Sequence, residues 1–113
     1  YTSKFKIDFV KPTITSANPK NNSSGFSLTA PITITFSENI TGGTKYSGIY
    51  MKNLSTGKVV SITKSISGKT LTIKMVSGRL SKNTYQIYLP AGAVKDAAGN
   101  SLASAYTLKF KTI

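Results

Sequence analysis

Apolar and polar residues alternate with a period of two in short runs along almost the whole chain. Ile32, Ile34 and Phe36 fall on one face, with Thr33 and Thr35 on the other. Leu71, Ile73 and Met75 repeat the pattern. So do Tyr85, Ile87 and Leu89 against Gln86 and Tyr88, and Tyr106, Leu108 and Phe110 against Thr107 and Lys109. Period two is the signature of a pleated strand with one buried face. Helical spacing is almost absent. Gly, Asn, Ser and Pro fill the gaps between runs, which recur at the close spacing of an all-β antiparallel sandwich. Nine residues are expected to point inward: Ile32, Ile34, Phe36, Leu71, Ile73, Tyr85, Ile87, Leu108 and Phe110.

The less regular stretches carry weaker expectations. Pro12–Ala17 reads as a short extended run closed by Asn18-Pro19, and Lys20–Gly25 as polar loop. Tyr46–Lys52 reads as a strand, Asn53–Lys58 as a turn, and Val59–Ile66 as one strand returning through Ser67-Gly68-Lys69. Ala91–Ala105 is expected to be irregular, with one helical turn near Ala93–Ala97.

The two ends of the chain nearly match. Tyr1-Thr2-Ser3-Lys4-Phe5-Lys6 and Tyr106-Thr107-Leu108-Lys109-Phe110-Lys111 agree at five of six positions, with position 106 set against position 1. That offset is about one small domain, and the match predicts a tandem array. Residues 1–11 are then a linker or the last strand of a preceding repeat, and residues 12–113 are one sandwich domain. Phe5, Ile7 and Phe9 form an apolar face of their own. It is expected to add to a sheet edge, on this domain or by strand exchange with a neighbouring molecule. Neighbouring repeats are the first expected partners. A leader and an anchor are expected on other parts of a longer protein.

Charge narrows the function. Lys plus Arg number 15 against Asp8, Glu38 and Asp96, a net charge of +12. Arg79 is the only arginine; the rest are lysines spread along the chain. Nucleic-acid readers favour the planar arginine fork, so nucleic acid is not an expected partner. Dispersed lysines keep strand edges soluble and give a diffuse field that attracts polyanions in a salt-dependent way. No apolar run approaches membrane-spanning length, so direct membrane contact is not expected.

Catalysis finds little material. The chain has no His and no Cys, which removes most nucleophile–base pairs. Asp8, Glu38 and Asp96 could supply a carboxylate pair, but they lie in separate segments and no second motif supports a cleft. The domain is read as non-enzymatic, without cofactor or metal. Calcium needs six to eight oxygen ligands, and one Asp with one Asn makes a poor cage. An isopeptide bond has Lys11, Asn100 and Glu38 as formal candidates, and needs a buried acid with a raised pKa.

Two motifs read as structural. Leu80-Ser81-Lys82-Asn83-Thr84-Tyr85 has the pattern of a tyrosine corner, in which Leu80 anchors the turn and the Tyr85 hydroxyl returns to upstream backbone. Asp96-Ala97-Ala98-Gly99-Asn100 reads as a tight loop, with Asp96 and Asn100 bonding local backbone and Gly99 supplying positive φ. Tyr46, Tyr50 and Tyr88 are the aromatics suited to stacking against sugar rings. Sequons begin at Asn21, Asn22, Asn39 and Asn53.

The ordered set Pro12-Thr13-Ile14, Asn18-Pro19, Ile32–Glu38, Gly68–Ile73, Leu80 to Tyr85, Asp96–Asn100 and Tyr106–Thr112 resembles the prokaryotic Ig-like domains of S-layer and adhesin proteins. The resemblance covers Pro12 to Thr112. Its Lys- and Asn-rich style is similar to that of adhesin-like proteins of methanogenic archaea. It implies an Ig-like antiparallel β-sandwich of about seven strands, repeated in an extracellular cell-surface protein as stalk, spacer or adhesive module. The alternative is that the module itself binds carbohydrate or an anionic wall polymer. A related sandwich, the periplasmic copper carrier, uses His and Met; with no His and only Met51 and Met75, copper chemistry is not supported.

Overall fold

The computed structural model describes residues 11–76 and 78–113. The expected linker and its strand exchange fall on residues 1–11 and so lie, but for Lys11, outside the described residues. Eleven strands follow one another among the described residues. They are β1 (Ile14–Asn18), β2 (Ser23–Phe26), β3 (Ile32–Phe36), β4 (Thr41–Gly42), β5 (Tyr50–Asn53), β6 (Lys58–Val60), β7 (Ile62–Ser67), β8 (Thr70–Met75), β9 (Thr84–Leu89), β10 (Val94–Lys95) and β11 (Tyr106–Thr112). One sheet has the order β1-β3-β8-β7 and the other β2-β11-β9-β5-β6, with β10 and β4 as a small ribbon. Every pairing is antiparallel except β2 with β11, which is parallel.

The alternating faces meet in one core. All nine residues expected inward are buried, none more than 1% exposed. Met51, Leu89, Val94 and Ile49 complete the filling. In β3, β5, β7 and β9 the more buried side chains fall at every second position because the pleat turns successive Cβ atoms to opposite faces.

Both open sides of the sandwich are closed by a chain that changes sheets. At one side β1 ends at Asn18, the Asn18–Pro19 peptide is cis, and the chain resumes as β2 in the other sheet. At the other side β6 passes through Ser61 into β7 and again changes sheet. Strands that switch sheets form the corners of a sandwich. The stretch Val59–Ile66, expected as one strand, is therefore two strands of different sheets. Other expectations are also revised. Residues 23–25, expected as the end of a loop, form with Phe26 a strand laid against β11. Tyr46–Gly48 forms a turn of 3-10 helix before β5 begins at Tyr50. The helical turn expected near Ala93 is instead β10, paired with β4.

On the edge strand β7, Ile62, Lys64 and Ile66 share the inward face. Lys64 Nζ donates to the Tyr46 carbonyl at 3.0 Å and lies 4.6 Å from the centre of its ring. A lysine turned inward on an edge strand discourages a second molecule from extending the sheet.

Chain direction fixes the poles. Lys11–Ala17 and Leu102–Tyr106 line one groove, so the start of β1 lies beside the start of β11. Phe26 pairs with Thr112 at the other end. The described chain thus enters at one pole and leaves at the opposite one. Seven residues of β11 separate the poles, about 20 Å of strand.

Candidate functional site

At the C-terminal pole the tyrosine corner forms. The Tyr85 hydroxyl accepts a hydrogen bond from the Leu80 N–H at 2.7 Å. Its ring is fully buried and stacks on Phe110, with centroids 5.8 Å apart. The Leu80 side chain, expected as the anchor, is 55% exposed. The turn is held through its backbone: Thr112 Oγ1 donates to the Leu80 carbonyl at 2.6 Å and accepts from Asn83 N–H at 3.1 Å.

Sequence reasoning missed the role of Arg79 beside this corner. It is 4% exposed. Nε and Nη2 both donate to the Ser27 carbonyl, at 3.1 and 3.0 Å, and Nη2 also reaches the Ala30 carbonyl. The guanidinium lies over the Phe26 ring at 5.0 Å. Burial lowers its pKa, with Tyr85 acting in the opposite sense. It ties the Ser27–Ala30 loop to the core by its fork of donors, which lysine lacks. A single arginine among fourteen lysines was the only signal in the sequence.

At the N-terminal pole, Asp96 is buried. Its Oδ1 accepts from Asn100 N–H at 2.8 Å, and Oδ2 from Asn100 Nδ2 at 3.1 Å. Gly99 takes φ +92° and donates to the Asp96 carbonyl at 3.2 Å. Glu38, 58 residues upstream, lies beside Asp96 and is among the groups that lower its pKa, bringing together two of the three acids in the chain. Burial pushes the Asp96 pKa up. Hydrogen bonds from the side chain and backbone of Asn100 and from Ala98, together with Glu38, outweigh it and hold the carboxyl below its usual range. With both oxygens engaged by Asn100, the carboxylate braces the loop. Lys11, a formal isopeptide candidate, is exposed. Among the described residues no group of three potential metal ligands gathers.

The three singled-out tyrosines do not form one cluster. Tyr50 and Tyr88 pair directly across β5 and β9 on the outer face of the five-stranded sheet, with ring centres 5.3 Å apart and planes inclined by 34°. Tyr46 packs against the core beneath Lys64, and burial raises its hydroxyl pKa. Among the sequons, the Asn53 amide is buried, its oxygen accepting from Ser55 and Thr56 N–H, and Asn21 accepts from Lys109 N–H. Asn22 and Asn39 are exposed.

Residues 8–112 match the bacterial Ig-like domain family. The chain belongs to that family. This bacterial Ig-like domain is similar in fold to the N-terminal part of the bacterial S-layer protein SbsC, at 18% identity and a TM-score of 0.64. The likeness covers 91% of this chain and 24% of that one. It is similar also to the S-layer protein fragment rSbsC(31-844), at 19% identity and a TM-score of 0.61, over 92% of this chain and 14% of that one. The domain therefore spans about a quarter or less of these proteins. Comparison with curated proteins finds no match.

Proposed function

We propose that this Ig-like domain is a non-catalytic spacer in a repetitive, extracellular cell-surface protein, and that it carries tension from one pole to the other. The observation that supports this best is the parallel pairing of β2 with β11 between opposite poles. A pull along the axis draws the first strands one way and the last strand the other. Strands loaded along their length share the force over all their bonds at once, whereas peeling breaks them singly. Asn22 N–H to the Lys109 carbonyl at 2.7 Å, Lys109 N–H to Asn21 Oδ1 at 2.9 Å and Ile113 N–H to the Phe26 carbonyl at 3.1 Å lie on this seam. Opposite poles also suit end-to-end stringing of copies, the arrangement in which each repeat meets only its neighbours. The likeness to S-layer fragments and the near-repeat of residues 1–6 at 106–111 point the same way.

Biotinylation of intact cells with a membrane-impermeant, amine-reactive reagent tests the location, since most lysines are exposed. The domain should be labelled before lysis. Labelling only after lysis would refute the surface reading.

A further inference from the structure

The outer face of the five-stranded sheet carries side chains that the core does not use. Strand register arranges them in rows. Thr107, Tyr88 and Tyr50 form one row across β11, β9 and β5. Lys109, Gln86 and Lys52 form the next, two residues along each strand. Lys111 follows on β11, two residues beyond Lys109. Strand spacing puts Lys109 and Lys52 about 10 Å apart, with Gln86 between them, and the tyrosine row about 7 Å away.

We propose that this face is a binding platform for an anionic polysaccharide. Tyr50 and Tyr88 pack on each other as a tilted pair, and the outer side of that pair is the aromatic surface against which the apolar face of a sugar ring packs. Lys52 and Lys109 stand beside it to meet acidic substituents, and Gln86 offers both a donor and an acceptor to hydroxyls. The field is not neutralised locally. The described acids, Glu38 and Asp96, lie beside each other at the N-terminal pole. Lysines that look scattered in the sequence are thus gathered by register. The face suits a glycan better than a nucleic acid because the single arginine is buried at the C-terminal pole and leaves no guanidinium for phosphate or base edges. The inference does not depend on the spacer reading.

Titration calorimetry of the whole chain against polygalacturonate, neutral dextran and oligothymidylate tests it. Polygalacturonate should bind, weaken with salt, and be preferred over both others. Tyr50→Ala with Tyr88→Ala should weaken binding by about tenfold or more, in line with loss of one or two stacking contacts. Lys52→Gln with Lys109→Gln should weaken it and flatten its salt dependence. Lys69→Gln with Lys74→Gln removes the same charge away from the platform and should leave binding nearly unchanged. Circular dichroism identifies any variant that has lost its fold; Tyr50→Phe with Tyr88→Phe then serves as a milder pair, expected to retain the stacking. Equal losses from both lysine pairs, or full binding by the alanine pair, would overturn the platform. So would failure of polygalacturonate to bind, or preference for oligothymidylate.

Discussion

Replacing Tyr85 by Phe removes one oxygen and little else. The ring stays in its fully buried place against Phe110, so packing is preserved. What is lost is the bond accepted from Leu80 N–H at 2.7 Å. A single intramolecular hydrogen bond contributes about 0.5–1.5 kcal/mol, and leaving its partner unsatisfied raises the cost, so about 1–2 kcal/mol is expected. With a urea slope of about 1–3 kcal/mol per molar, the midpoint should fall by roughly 0.3–2 M. Urea melts of the wild type, Tyr85→Phe and Tyr88→Phe make the comparison. Tyr88 lies on the outer face, so its variant should melt near the wild type. An unchanged midpoint for Tyr85→Phe would refute the corner as a source of stability.

Gly43→Ala should destabilise by about 1–3 kcal/mol or more in the same melts, because a Cβ there would lie 2.2 Å from the Gly92 carbonyl oxygen and force backbone apart. Asp96 has a folded-state pKa below its unfolded value near 3.9, so its contribution is complete above that value and lost as pH falls through the folded one. Thermal melts should show the domain weakening in that acid window, and Asp96→Asn should flatten the decline. Lys64→Val would remove the inward charge from edge strand β7 and should increase self-association in sedimentation velocity.

The strongly alternating runs were legible because burial on one face enforces period two, and the nine inward residues follow from it. β2 was not legible: Ser23-Ser24-Gly25-Phe26 has no alternation and becomes a strand only because β11 offers an edge. Val59–Ile66 alternates well enough to read as one strand, but a change of sheet at Ser61 leaves the period nearly intact. The tyrosine corner was visible as a local motif. The meeting of Glu38 with Asp96, and of Tyr50 with Tyr88 above Lys52 and Lys109, depends on register between distant strands, which local pattern does not contain.

The role in carrying tension is tested most directly by stretching single molecules in two directions. Handles at Lys11 and Ile113 pull between the poles and load β1 along β3 and β2 along β11 in shear. Handles at Ser24 and Ile113 pull across the C-terminal pole and peel β2 from β11. The account predicts a several-fold higher unfolding force for the pole-to-pole pull. Equal forces, or a weaker domain when pulled pole to pole, would contradict it.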